Sequence, residues 1–297
     1  MATVRVGAGN WRYEVIPDWG RGDQGVPAFG TVSGLACDRQ DNVYVFNRTG
    51  EPGVFVFTPD GTLLRKWGAD VFRHPHGIWI GQDATRGGEE VVLVTDRDLH
   101  QVIKYTLTGE KLHEWGAAYR EPGDAGEPFN QPARATLGPS GEMFVADGYG
   151  QYRVHRFGPN GELTHSWGRR GQGPGAFAWP VHHALLDPRG RLLVCDRGNN
   201  RIQAFSTQGQ YLSEWGGLHM PQDYVLTGDH ELVYAEGATP GVCVTDLDGT
   251  LIARWGERGD GPGQFAASPH SLAMDSHGDL YVGEVITPNR LQKFVRS

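Results

Sequence analysis

Apolar residues recur along the chain in short runs bounded by Gly, Pro, Asn and Asp. Five such stretches are DRQDNVYVFN, EEVVLVTDRD, PSGEMFVADG, DPRGRLLVCDR and GDHELVYAEG, and a sixth, DSHGDLYVGE, lies near the C-terminal end. Each reads as strand pairs punctuated by turns. No window sustains apolar residues at i, i+3, i+4 and i+7 over three turns, so long helices are not expected. The dipeptide Trp-Gly occurs six times, at Trp19, Trp67, Trp115, Trp167, Trp215 and Trp255. Five of them follow a turn: Pro59-Asp60-Gly61, Thr108-Gly109, Pro159-Asn160-Gly161, Gln208-Gly209 and Asp248-Gly249. Runs such as GTLLRKW, GEKLHEW and GELTHSW then lead from turn to Trp, which describes a hairpin whose last strand carries an aromatic. The intervals between successive Trp-Gly pairs are 48, 48, 52, 48 and 40 residues. About four strands per 40–50 residues is the period of a β-propeller.

The repeat predicts an all-β, six-bladed β-propeller forming a single domain over residues 1–297. Trp19 precedes any complete blade, and the last blade, from about Pro269, lacks its own Trp-Gly strand. The simplest closure has the segment around Trp11–Trp19 supply the outer strand of that blade, which hides two sheet edges. The six Trp are read as blade-packing residues.

Composition narrows the function classes. Gly is 44 and Pro 18 of 297 residues, with no three-residue period, which excludes collagen and implies many tight turns. The net charge is −8 and no basic run occurs, so nucleic-acid binding is not expected. No stretch approaches the ~18 apolar residues of a membrane span. The start, MATVRVGAGNWRYEV, lacks the apolar core of a signal peptide. Cys37, Cys195 and Cys243 are odd in number and far apart, suggesting neither a disulfide framework nor a CxxC metal site. A cytoplasmic monomer is the expectation.

Candidate chemistry emerges when the starts of the innermost strands are aligned. These are Ser33-Gly34-Leu35, Pro75-His76-Gly77, Pro132-Ala133-Arg134, Val181-His182-His183, Pro221-Gln222-Asp223 and Pro269-His270-Ser271. His76, His182 and His270 hold the same position in blades two, four and six. Alternate blades of a six-fold ring are about 120° apart, so three imidazoles would converge on one point. Three neutral histidines with open positions make a catalytic-type site for Zn²⁺, or for another imidazole-binding divalent metal. The plain alternative is channel-mouth histidines that bind water. His183 should point the other way by the strand period. His100, His113, His155, His165, His219, His230 and His277 read as solvated or on outer strands. Arg48, Tyr149 and Arg197 share about one phase of their blades, at one mouth of the channel. A phenol of pKa about 10 serves as a base only beside a cation or metal, and paired guanidiniums suit a carboxylate. Here too a plain alternative stands: a rim tyrosine packing on the next blade, and arginines in salt bridges with Asp96 or Asp196.

GQGPGAFAWP and GDGPGQFAASP, each followed by a strand and a Gly-containing turn, resemble NHL repeats. RHPHGIWI, VTDRDLHQVIKY, ADGYGQYRVHRFGPNGELTHSWG, LLVCDRGNNRIQAF and SPHSLAMDSHGDLYVGE together resemble the lyase domain of peptidylglycine α-amidating enzymes, over about residues 30–295. That resemblance implies zinc on His76, His182 and His270, Tyr149 as general base, and Arg48 and Arg197 on a substrate carboxylate. It implies a small-molecule substrate, an N-substituted α-hydroxyglycine cleaved to an amide and glyoxylate, or a related small α-hydroxy acid or hemiaminal. The chain departs from the family pattern in places. Ser271 replaces the family's Asp, which counts against a structural Ca²⁺; Ser268 replaces a Met; Gly150 replaces a Cys, removing a disulfide and agreeing with a reducing compartment. Two further readings stand beside the lyase: another metalloenzyme on this scaffold, such as a lactone or ester hydrolase, and a non-enzymatic NHL binding scaffold.

Overall fold

The computed structural model describes residues 3–20, 29–116, 128–286 and 290–297. The chain opens with β1 (Arg5–Ala8) and β2 (Trp11–Ile16), then forms sheets of four antiparallel strands. The first is β3 (Val32–Cys37), β4 (Val43–Asn47), β5 (Gly53–Phe57) and β6 (Leu63–Trp67). The second is β7 (Pro75–Asp83), β8 (Glu89–Asp96), β9 (Gln101–Thr106) and β10 (Lys111–Trp115). The third is β11 (Arg134–Leu137), β12 (Met143–Asp147), β13 (Arg153–Phe157) and β14 (Leu163–Trp167). The fourth is β15 (Val181–Leu186), β16 (Leu192–Asp196), β17 (Arg201–Phe205) and β18 (Tyr211–Trp215). The fifth is β19 (Pro221–Leu226), β20 (Leu232–Glu236), β21 (Gly241–Thr245) and β22 (Leu251–Trp255). The sixth is β23 (Ser268–Met274), β24 (Leu280–Val285) and β25 (Leu291–Arg296), completed by the N-terminal strands in the order β1-β2-β25-β24-β23. The protein is an all-β six-bladed propeller whose ring is closed by that mixed sheet. No helix among the described residues is long and apolar enough to cross a membrane.

Closure uses one strand more than the repeat predicts. β2 pairs with β25 (Tyr13 opposite Arg296, Val15 opposite Phe294) and is the fourth strand; β1 adds a fifth. Trp19 follows β2 in a turn and is buried.

Residues 71–221 form one compact unit with three of the sheets. The middle strands β12, β16 and β17 are buried at every position, whereas four of the five residues of β18 are exposed. Phe144, Val154, Trp167, Phe177, Val181 and Phe205 form one apolar cluster; Leu93, Phe129, Ala135, Val145 and Phe157 belong to another. The repeat signature has a local cause here. Trp115 Nε1 donates to Gly161 O in the outer hairpin turn of the following blade (2.9 Å). The Trp167 indole also lies over a turn glycine, Gly209 at φ +78°, where a Cβ would sit 2.6 Å from the ring, without that hydrogen bond. At Trp115 and Trp167 the turn glycine leaves room for the indole above it.

The second unit joins residues 1–70 to 222–297. Its core holds Trp11, Tyr13, Val233, Val242, Trp255, Phe265 and Phe294 in one cluster and Trp19, Leu35, Phe55, Phe57 and Tyr281 in another.

Candidate metal centre

His76, His182 and His270 each sit in an irregularity at the start of an inner strand. Register between β7 and β8 shifts between Pro75 and Ile78, between β15 and β16 across Val181 to Ala184, and between β23 and β24 across Pro269 to Ser271. A bulge leaves a residue out of the ladder and re-aims its side chain. All three imidazoles are buried.

In the unit of residues 71–221, His76 Nδ1 lies 2.8 Å from Ala133 O. Thr95 Oγ1 donates to the same carbonyl (2.7 Å) and accepts from Gly77 N (2.7 Å). A proton on Nδ1 satisfies that carbonyl and leaves a lone pair on Nε2, which faces the Tyr149 hydroxyl at 2.9 Å. The same hydroxyl is 3.1 Å from His182 Nε2. The His76 and His182 ring centroids are 5.0 Å apart.

Tyr149 is placed by backbone contact. β12 ends at Asp147, whose buried carboxylate accepts from Asn130 N (2.8 Å) and Gln151 Nε2 (2.6 Å). A Cβ on Gly148 would lie 2.1 Å from Val181 N and 2.2 Å from Val181 O. Only glycine lets these backbones touch, and the contact carries Tyr149 and His182 on either side of it. Tyr149 is half-buried; the Arg97 guanidinium stands 5.2 Å from its ring centroid, within cation–π range, and Trp179 meets it edge-on at 5.6 Å.

Arg197 is half-buried and opens a short 3-10 turn, Arg197–Asn199; its buried Nε has no hydrogen-bond partner among the described residues. Asp196, weighed above as a salt-bridge partner, is engaged instead by Arg201 Nε (2.7 Å), Asn199 Nδ2 (2.8 Å) and Ala178 N (2.9 Å). Asp96 accepts from the backbone N–H groups of Arg73 and His74. Burial pushes both carboxyls above the usual carboxylate range, against the pull of these hydrogen bonds.

In the second unit, His270 Nδ1 lies 3.0 Å from Ser33 O, an arrangement like that of His76 with Ala133. Arg48 directly follows β4, is half-buried, and its backbone N donates to Thr31 O (2.8 Å).

Each of the three histidines offers one ring nitrogen, and these atoms lie within 4.8 Å of one another; such a buried group could hold a metal ion. The donor chemistry fits. Two imidazoles give Nδ1 to a backbone carbonyl, the usual outer support of a metal-bound histidine, and neutral imidazole suits zinc and several other divalent metals.

Two sequence expectations need correction. His100 and His155 are neither solvated nor on outer strands: His100 is buried and accepts from Gln131 N (3.0 Å), and buried His155 on β13 faces Asp147 and Ser166. Both sit where a loop must be tied to the strand beneath it. Sequence reasoning also passed over Arg97, which follows Asp96 as Arg197 follows Asp196, a phase match visible in the two Asp-Arg pairs. It passed over Trp179 as well, whose only signal is a Trp before a Pro outside the Trp-Gly series.

No family model matches the chain. It is 29% identical over 298 residues to the peptidyl-glycine alpha-amidating monooxygenase B of Xenopus laevis, covering 86% of this chain and 33% of that protein. The chain thus spans about a third of the length of that curated relative. It is 26% identical over 321 residues to peptidyl-alpha-hydroxyglycine alpha-amidating lyase 1 of Drosophila melanogaster, covering 90% of this chain and 57% of the relative. It is 33% identical over 277 residues to NHL repeat-containing protein 3 of Mus musculus, covering 85% of this chain and 76% of the relative.

Proposed function

The chain belongs to the NHL repeat-containing protein family, and we propose that it is a zinc-dependent lyase that cleaves N-acyl-α-hydroxyglycines to an amide and glyoxylate. The observation that carries this reading is the Tyr149 hydroxyl, 2.9 Å and 3.1 Å from the Nε2 atoms of two buried histidines of a potential metal-binding set. Similarity to a named amidating lyase along most of the chain supports the reaction class.

His76, His182 and His270 would hold the metal, which when bound supplies Lewis acidity toward a substrate oxygen. The chain's own residues do the rest. Arg48 and Arg197 grip the substrate carboxylate, as a guanidinium can with two parallel N–H bonds. Tyr149 as phenolate takes the proton of the carbinol hydroxyl. The O–H electron pair becomes the second bond of the glyoxylate carbonyl, and the C–N bond breaks with its pair on nitrogen. Tyr149 then returns the proton to that nitrogen, releasing a neutral amide. Proton count and charge balance, and no redox partner is consumed.

Metal analysis of the purified protein beside His182→Ala tests the binding set: about one zinc per chain is expected, lost in the variant. A glyoxylate assay with N-benzoyl-α-hydroxyglycine tests the reaction. Release should fall at least about a hundredfold in Tyr149→Phe, in line with the usual worth of a positioned acid–base group. Equal release by the two proteins would end this assignment of Tyr149; no release by either would end the lyase reading.

A further inference from the structure

Trp179 is 55% exposed, although an indole is among the side chains with most to gain from burial. It is nevertheless held firmly. Its Nε1 donates to Tyr149 O (2.9 Å), and its ring stands at 85° to the Tyr149 ring. Its backbone presses on the turn that carries Arg197, where a Cβ on Gly198 would lie 2.3 Å from Trp179 O. Two glycine contacts, Gly148 on Val181 and Gly198 on Trp179, therefore lock Tyr149, Trp179 and Arg197 into one fixed group.

We infer that Trp179 is a specificity-determining residue, an aromatic platform for a ring or branched apolar group on the acyl side of the substrate. The inference rests on the reaction proposed above and names its substrate class. The carbinol carbon carries a hydroxyl, a carboxylate and an amide nitrogen. With the hydroxyl at Tyr149 and the carboxylate at Arg197, the acyl-amide arm is the substituent left for the exposed indole beside Tyr149. A flat apolar group covering that face removes the exposure that folding leaves in place.

The test uses N-benzoylglycine and N-acetylglycine, which lack the hydroxyl and cannot be cleaved. Their binding is measured calorimetrically on metal-loaded wild type, Trp179→Ala and Trp179→Phe. Wild type should bind the benzoyl compound at least about tenfold more tightly, which is about 1.4 kcal/mol. Trp179→Ala should erase that preference, lowering benzoyl affinity at least about tenfold more than N-acetylglycine affinity, and Trp179→Phe should keep most of it, as expected of ring stacking. No preference in wild type, or equal losses for both ligands in Trp179→Ala, overturns the platform. Glyoxylate release from N-benzoyl-α-hydroxyglycine separates the two claims: an intact benzoyl preference without turnover sinks the lyase and leaves the platform standing.

Discussion

A methyl group at position 148 would have to enter the space of the Val181 backbone, with the Cβ 2.1 Å from its nitrogen. Neither side can yield cheaply, because one leads into Tyr149 and the other into His182. Gly148→Ala should therefore uncouple these two residues. Zinc affinity should fall at least about tenfold and glyoxylate release should disappear, with a stability loss of about 1–3 kcal/mol, the usual cost of overpacking. Zinc titration and urea unfolding on the same preparation check both. The sequence showed the histidines, because a His stands at the aligned start of the inner strand in three of the six blades, and it showed Tyr149. It could not show that each histidine rides on a bulge, since a bulge belongs to two paired strands and exists only once their register is set. Nor could it mark Gly148 among 44 glycines, most of which serve turns.

At the level of strands, β2 has the most to lose. Trp11, Tyr13 and Val15 alternate inward along it and are buried, and Tyr13 lies 5.1 Å from the Trp255 ring centroid and 6.3 Å from that of Phe294. Tyr13→Ala should cost about 3–5 kcal/mol, as large aromatic truncations in cores do, and shift the urea midpoint accordingly. A cost under about 1 kcal/mol would mean that β2 contributes little to the closing sheet. This alternation made β2 legible. β1 was not: RVGA has no buried residue and contains a glycine, so nothing in its pattern distinguishes an outer edge strand from a loop. The strands of the blades were legible for the opposite reason. Runs such as VYVF and LLVC are apolar throughout because neighbours cover both faces.

The molecule as a whole buries many weak acids in their neutral form. Burial raises the Cys243 thiol and the Tyr105 phenol to about 12 each, and lifts Tyr13, Tyr44, Tyr234 and Tyr281 higher still. The folded state resists ionisation while the unfolded chain ionises near the ordinary values of about 8.5 for Cys and 10 for Tyr. Stability is therefore full below about pH 8.5 and falls as pH rises through these values, by up to about 1.4 kcal/mol per pH unit for each group. Urea midpoints at pH 7.5, 9.5 and 10.5 should decrease in that order; a midpoint constant to pH 10.5 contradicts the prediction. At this scale the six-fold plan was readable from the Trp-Gly period, because five repeats end a turn-and-strand unit on the same Trp-Gly pair. Trp11, Tyr13 and Val15 zip against Leu291–Arg296, a strand made about 280 residues after them. At about 5–20 residues per second these sticky side chains wait tens of seconds for a mate, which makes this segment the natural handle for a holding chaperone.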